Sequence, residues 1–199
     1  MNSSVAGIPL IIEASLNGST SKTSNPSVPY SDEEIVEQAV ACMEAGAALI
    51  HTHTQEPIIG GSGVLDAELY ASAWRKILAV RPDAILTPTM PVGQEGVSVE
   101  TRYSHVEYLA EQGVIAQGLC DPGSFNLALP DESGMLSDSD YVYKNTAHDS
   151  HYYVETCRRL GLGLGVSIFE PGFGRFIMGY IKAGRLPQGA MMKFYFGSG

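Results

Sequence analysis

The strongest constraint on this 199-residue chain is the order in which two hydrophobic periods alternate along it. Short runs rich in Ile, Leu and Val, each about the length of a strand, are followed by longer stretches whose apolar residues recur at helical spacing. A chain that alternates in this way builds a parallel sheet, because each helix carries it back to begin the next strand in the same direction. Six such units are counted. Strands are expected over 9–14, 47–54, 84–89, 114–119, 163–169 and 190–196, with one helix opening at Ser31 and others over 67–80, 98–112, 146–160 and 173–183. Ser31-Asp32-Glu33-Glu34 has the form of a capping box, in which the hydroxyl accepts from an early helical N–H and Glu34 reaches back. Behind it Ile35, Ala39, Cys42 and Met43 share one face, and Arg81-Pro82-Asp83 breaks the second helix.

The connections are unequal in a way that bears on function. Long ones follow strands, over 15–30, 55–66 and 121–145, whereas helices return to strands through short turns such as Glu44-Ala45-Gly46 and Gly161-Leu162. In a (β/α)8 TIM barrel this puts the elaborated loops on the C-terminal face, where such enzymes keep their active sites. An open doubly wound sheet would advertise a Gly-rich phosphate turn after its first strand, and Glu13-Ala14-Ser15-Leu16-Asn17-Gly18 does not match GxGxxG. Eight strands and roughly 250 residues are usual for the barrel. The expectation is therefore an α/β fold, with 1–199 as a single domain carrying about the first six βα units of a barrel that continues past Gly199.

Charge narrows the partners. Twelve Lys and Arg against 22 Asp and Glu leave a formal charge of −10, a poor footprint for nucleic acid or an anionic membrane surface, so a small-molecule ligand is expected. Cys42, Cys120 and Cys157 are odd in number and set in apolar or helical surroundings, which reads as reduced core thiols. The first residues carry no basic n-region, and the apolar run over 8–12 is too short for a signal core or a span, so a cytoplasmic protein is expected.

His51-Thr52-His53 is the strongest local signal, because side chains at i and i+2 of a strand point to one face. Two imidazoles presented together at the mouth of a barrel suit a divalent metal; two hydrogen-bonding histidines near a core are the plainer alternative. The strand-end position and the long loop that follows favour the metal. A catalytic zinc site takes about three protein ligands, so a third is required. Glu13 and Glu170 end strands one and five on the same expected face, with helix capping or a surface ion pair as their other reading. His148 and His151 stand at i,i+3 beside Asp149, and their polar first-turn position points to a solvated face. His105 is read as packing or surface. Ser124 and Asn126 offer a hydroxyl and an amide after strand four, although turn chemistry accounts for them nearly as well. Thr87 and Thr89 share a strand face and can line the interior, with plain β-propensity as the alternative.

Read together, Ile11-Ile12-Glu13-Ala14-Ser15-Leu16-Asn17-Gly18, Asn25-Pro26-Ser27-Val28-Pro29-Tyr30-Ser31 and Ala45-Gly46-Ala47-Ala48-Leu49-Ile50-His51-Thr52-His53 resemble the β-keto acid cleavage enzyme family. The resemblance continues through Pro122-Gly123-Ser124-Phe125-Asn126, Phe169-Glu170-Pro171-Gly172 and Lys193-Phe194-Tyr195-Phe196-Gly197, so it covers nearly the whole chain. It implies a (β/α)8 barrel with a catalytic Zn2+, two of whose ligands map onto His51 and His53. The third family ligand is a glutamate near strand eight, followed by an aspartate that works with an arginine; all three are expected beyond Gly199. Family members exchange acyl groups between a β-keto acid and acetyl-CoA, giving acetoacetate and a new CoA thioester. By resemblance Glu13 is a catalytic residue in the pocket, Thr89, Ser124, Asn126 and Glu170 belong to the substrate region, and the protein forms a homo-oligomer.

The sequence departs from the family around Gln55, where an arginine often follows the histidines, at Ser167, where some members are acidic, and at Met90-Pro91-Val92-Gly93, where a glycine-rich turn is usual. These departures bear on the substrate side chain and on acetyl-CoA, not on zinc. Two other functions stay open: a metal-dependent barrel hydrolase, which would need further strand-end histidines, and a non-catalytic barrel that binds a keto acid.

Overall fold

The computed structural model describes residues 10–56, 61–93, 95–128 and 130–196. Within them the chain is an α/β protein. Strands β1 (Glu13–Ser15), β2 (Leu49–His51) and β3 (Ile85–Thr87) alternate with helices α1 (Asp32–Glu44) and α2 (Ala67–Val80). Helix α3 (Val99–Glu111) leads to β4 (Gln117–Cys120) and then to two short strands, β5 (Phe125–Asn126) and β6 (Val142–Tyr143). Helix α4 (Ala147–Leu160), β7 (Gly163–Ile168), α5 (Pro171–Lys182) and β8 (Met191–Phe194) complete the order.

The six strands expected from the sequence are all present and parallel, in two ladders, β1-β2-β3 and β4-β7-β8. Each is shorter than its apolar run, because the flanking residues leave the ladder. The start of the expected first strand, at Pro9, lies outside the described residues; Leu10, Ile11 and Ile12 are exposed, and pairing begins only at Glu13. Side chains from the first and last strands nevertheless meet: Lys193 Nζ on β8 lies 3.0 Å from Glu13 Oε1 on β1. The strands thus curl round a shared interior.

Helix boundaries follow local chemistry. Ser31 caps α1 as expected, its hydroxyl accepting from the Glu34 N–H, while the Glu34 carboxylate accepts from the Tyr30 and Ser31 N–H groups and pairs with Lys22 at 2.6 Å. These partners hold the Glu34 carboxyl down to about 2, against 4.5 for a free one. A depressed carboxyl stabilises the fold above its unfolded value and loses that contribution as pH falls towards 2. Glu34→Gln is therefore expected to lower the urea midpoint at pH 7, with the gap to wild type narrowing steadily between pH 4.5 and pH 3.

Helix α2 runs over the expected residues, whereas α5 begins at Pro171, two residues before the expected Phe173. Pro171-Gly172 reads as a turn, but proline is favoured at the first helical position, where no N–H is needed. The apolar faces of the helices meet the sheets through Ile35, Trp74, Ile77, Tyr103, Val154 and Ile177, all buried. Cys120 and Cys157 are buried free thiols, and Cys42 is half-buried and packed against the core.

One close approach is decisive in β4. A methyl group at Gly118 would sit 2.5 Å from Cys157 Sγ and 2.8 Å from Tyr103 Oη. Tyr103 Oη donates to the Leu119 carbonyl at 2.8 Å, so it cannot retreat freely. Gly118→Ala is expected to cost about 1–3 kcal/mol by overpacking. Measured by urea unfolding, Cys157→Ala added to it should recover part of the loss, because it removes the nearer clash.

Among the described residues, no helix is long and apolar enough to cross a membrane. The connection over 121–145, expected to be a loop, contains the β5–β6 hairpin, in which Phe125 faces Tyr143 with ring centroids 5.3 Å apart. It folds back across the C-terminal ends of the strands.

Candidate active site

Strand geometry decides where the two histidines point. His51 ends β2 and His53 follows two residues on, so both face the interior while Thr52 between them turns towards the helices. There the buried Thr52 hydroxyl accepts a hydrogen bond from Trp74 Nε1 at 3.1 Å, which ties the backbone between the histidines to α2. Asn17, also buried, clamps the other side. Its Oδ1 accepts from the His53 N–H at 2.8 Å, and its Nδ2 donates to the His53 carbonyl at 2.9 Å and to the Pro29 carbonyl at 3.0 Å.

The imidazoles converge. Their Nε2 atoms are 3.1 Å apart, with the rings almost perpendicular. Two nitrogens bound at 2.0–2.1 Å to one tetrahedral zinc would be separated by about 3.3 Å, so the observed spacing fits a shared metal with little adjustment. His51 Nδ1 lies 3.3 Å from Thr87 Oγ1, a contact of the kind that orients a ligating imidazole from behind. Burial holds both rings neutral, His51 down to about 3, helped by His53 and Lys193, and His53 down to about 4. Neutral imidazole is the form that binds metal. Among the described residues no cluster of three or more His, Cys, Asp or Glu side chains forms, so no third side chain of these types joins the two histidines.

Both histidines line a cavity of about 310 Å³ at the C-terminal ends of the strands. Its polar wall includes Thr89, Asp121, Ser167 and Lys193, and its apolar wall is built by the segment after β3, by β4, by the hairpin and by the residues that follow β7 and β8. The Asp121 carboxylate accepts a hydrogen bond from the Tyr143 hydroxyl. Burial raises the Asp121 carboxyl, with Tyr143, Ser167 and Lys193 partly opposing the shift.

The expected site residues fall into two groups. His51, His53 and Thr89 lie on the cavity wall, and Glu13 stands just behind it, paired with Lys193. Ser124 and Glu170 instead border a neighbouring cavity with Arg175 and Phe173, and Asn126 is exposed on the hairpin. The Ser124 hydroxyl donates to the Asn145 carbonyl and accepts from its N–H, which pins the end of the loop to α4. His105 is buried as packing beside Tyr70 and Tyr103, with its Nε2 3.0 Å from the Thr89 carbonyl. His148 is exposed, and His151 contacts the Tyr180 hydroxyl at 2.5 Å.

Sequence reasoning missed Asn17, Asp121, Tyr143 and Lys193. The signal for Lys193 was present: in β8 the inward positions are Met191 and Lys193, and a lysine on the inward face of a strand needs a reason. Asp121 was hidden by Pro122-Gly123, since the same residues serve an ordinary turn.

Comparison with known proteins agrees with the motifs. The chain is 33% identical over 137 residues, 68% of its length, to the 3-keto-5-aminohexanoate cleavage enzyme of Acetoanaerobium sticklandii, and spans 49% of that protein. It is 26% identical over 189 residues, 94% of its length, to the enzyme of the same name from Fusobacterium nucleatum, and spans 63% of it. The chain thus covers about half to three fifths of the relatives it matches. Among solved structures it resembles apo ObcA, at TM-score 0.60 and 21% identity over 85% of this chain and 36% of that one. A ternary complex of ObcA with C4-CoA adduct and oxalate gives TM-score 0.59 at 21% identity, over 85% and 37%. These likenesses concern the fold. The family described as beta-keto acid cleavage enzyme matches residues 9–199, which spans β1 to β8 and every residue of the histidine cavity, and the chain belongs to that family.

Proposed function

We propose that this protein is a zinc-dependent β-keto acid cleavage enzyme that combines a β-keto acid with acetyl-CoA to give acetoacetate and a new CoA thioester, working in the cytoplasm as a homo-oligomer. Its parallel strands and helices are read as six βα units of a (β/α)8 barrel, a reading supported by the unbroken strand–helix order and the likeness to ObcA. The observation that carries the function is the convergence of the His51 and His53 Nε2 atoms, 3.1 Å apart, inside a cavity at the C-terminal strand ends.

His51 and His53 would hold the metal. When bound, zinc supplies Lewis-acid polarisation of the keto group, which acidifies the neighbouring carbon. The chain's own residues do the rest of the positioning. Thr87 contacts the His51 imidazole and Asn17 holds the backbone of His53, and Thr89 and the Lys193 ammonium line the cavity as donors for substrate oxygens. Lys193 also holds Glu13 at the rim, where we assign Glu13 to the catalytic machinery. Ser124, Asn126 and Glu170, outside the histidine cavity, are assigned to the outer substrate region. The known ObcA complex contains a CoA adduct, which supports acetyl-CoA as the co-substrate here.

The test is metal content and turnover together. About one zinc per chain, acetyl-CoA-dependent consumption of β-keto acids, and loss of both on chelation with recovery on adding zinc would uphold the proposal. Turnover that needs no acetyl-CoA would mean hydrolysis, and metal binding without any turnover would mean a binding protein.

A further inference from the structure

Arg102 stands on α3, outside the histidine cavity, and is only 3% exposed. The proposed reaction gives it no task, and a guanidinium is rarely buried without partners that need it. Its Nη2 pairs with Asp149 Oδ2 of α4 at 3.2 Å, and its Nη1 donates to Asn145 Oδ1 at 3.1 Å. The buried Tyr153 hydroxyl donates to the same oxygen at 2.9 Å. Asn145, also 3% exposed, ends the connection that carries the β5–β6 hairpin, where Ser124 pins its backbone.

The guanidinium sets the direction of the hydrogen bonds that follow it. Arginine can only donate, so Asn145 Oδ1 must face it and the amide nitrogen must point the other way. Asn145 Nδ2 makes no full hydrogen bond, and the Tyr143 hydroxyl is the group it approaches. A hydroxyl that turns its oxygen to an N–H sends its own proton elsewhere. The Tyr143 proton goes to the Asp121 carboxylate, which lines the cavity with both histidines. With Asn145 reversed, its oxygen would compete with Asp121 for that proton.

We propose that Arg102 is a positioning residue that acts on the histidine cavity through Asn145 and Tyr143, keeping the Tyr143 hydroxyl a donor to Asp121 so that Asp121 meets a ligand as an oriented carboxylate. The effect on turnover rests on the proposed function, whereas the order of the hydrogen bonds does not. This chain reaches the wall from α3 and the hairpin. His51 and His53 are held by Asn17, Thr52 and Thr87 instead, so the two arrangements can be broken separately.

Asn145→Asp is the deciding variant. It keeps an acceptor for Arg102 and Tyr153, but it has no donor to turn towards Tyr143 and offers the Tyr143 proton a second carboxylate. Arg102→Met removes the start of the chain and Tyr143→Phe its end. The Tyr143 Cζ resonance is followed by NMR in metal-free protein isotope-labelled at tyrosine Cζ, and is assigned by its loss in Tyr143→Phe. Turnover of β-keto acid with acetyl-CoA is measured separately on zinc-loaded protein. The resonance is expected to move in Asn145→Asp and in Arg102→Met. In each, kcat/KM should fall at least about tenfold, the scale of one hydrogen bond to a charged group, with zinc per chain unchanged. Adding Arg102→Met to Tyr143→Phe should lower kcat/KM by no more than about twofold further, because both cut one chain. A resonance unmoved in Asn145→Asp, or full additivity in the double variant, would overturn the proposal. If Arg102→Met does not fold, Asn145→Asp, which keeps the guanidinium paired, decides alone. If the resonance moves as expected while wild type turns over no β-keto acid, the positioning role stands and the proposed reaction falls.

Discussion

His51→Ala and His53→Ala are each expected to empty the metal site, with zinc per chain falling from about one to below a tenth and acetyl-CoA-dependent turnover falling at least about a thousandfold. The structure supplies only two nitrogens from the described residues, so removing either halves this chain's contribution to the site. A Lewis acid is worth several kcal/mol of charge stabilisation, which at about 1.4 kcal/mol per decade amounts to about three decades. Stability should fall as well, but only modestly. Both rings are buried and pushed to the neutral form, and their Nε2 atoms lie at hydrogen-bond distance, so removing one ring leaves the other without that partner, a loss of about 1–3 kcal/mol. Thr87→Val is the control for position, because it leaves both ligands and removes only the contact to His51 Nδ1. It should weaken metal affinity by about 10–100-fold, well short of the loss in either histidine variant. Equal metal loss in all three would mean that the loop, not the ligand pair, governs binding.

The second large effect is expected from a residue that never touches the cavity. Asn17→Ala would remove three hydrogen bonds at once, leaving the His53 N–H, the His53 carbonyl and the Pro29 carbonyl without their partner. Asn17 is 4% exposed, so water cannot easily replace it. At about 1–3 kcal/mol for each buried group left unsatisfied, and allowing for relaxation of the loop, the variant should lose about 3 kcal/mol in denaturant unfolding. Metal affinity should fall as well, since His53 loses the contacts that hold its backbone. Asn17→Asp separates these roles: it keeps the acceptor for the His53 N–H but offers the two carbonyls a carboxylate where they had a donor. If Asn17→Asp binds metal as wild type does, the clamp acts through the N–H contact alone.

Much of this was legible in the sequence, and the reasons differ by residue. Periodicity exposed the six parallel strands and five helices, because burial imposes it on every element. The capping box at Ser31 was legible because its two hydrogen bonds lie within four residues. The histidine pair was legible for the same local reason: a spacing of two on a strand determines a shared face. The hairpin was not, because its strands are two residues each and are joined by the packing of Phe125 against Tyr143 across a polar loop, a contact made at a distance of 18 positions. Asn17 escaped because its partners lie 12 and 36 positions away, and a single asparagine in a loop carries no mark of them. Glu13 was visible as a strand-end charge, whereas Lys193 lies mid-strand and was not, and nothing local joins residues so far apart. Local rules thus recover the scaffold and the ligands, while the clamps and ion pairs that hold them are tertiary.

The pairing of Lys193 with Glu13 sets an order in time. Lys193 follows His51 by 142 positions, so at 5–20 residues per second it leaves the ribosome about 7–30 s after the histidines. During that interval β1, β2 and β3 can pair and bring the two imidazoles together, while the opposite wall has yet to be made. Glu13, without its lysine, would then stand open at the edge of the first ladder. A nascent chain of this kind would have its histidine half before it has the lysine that faces it.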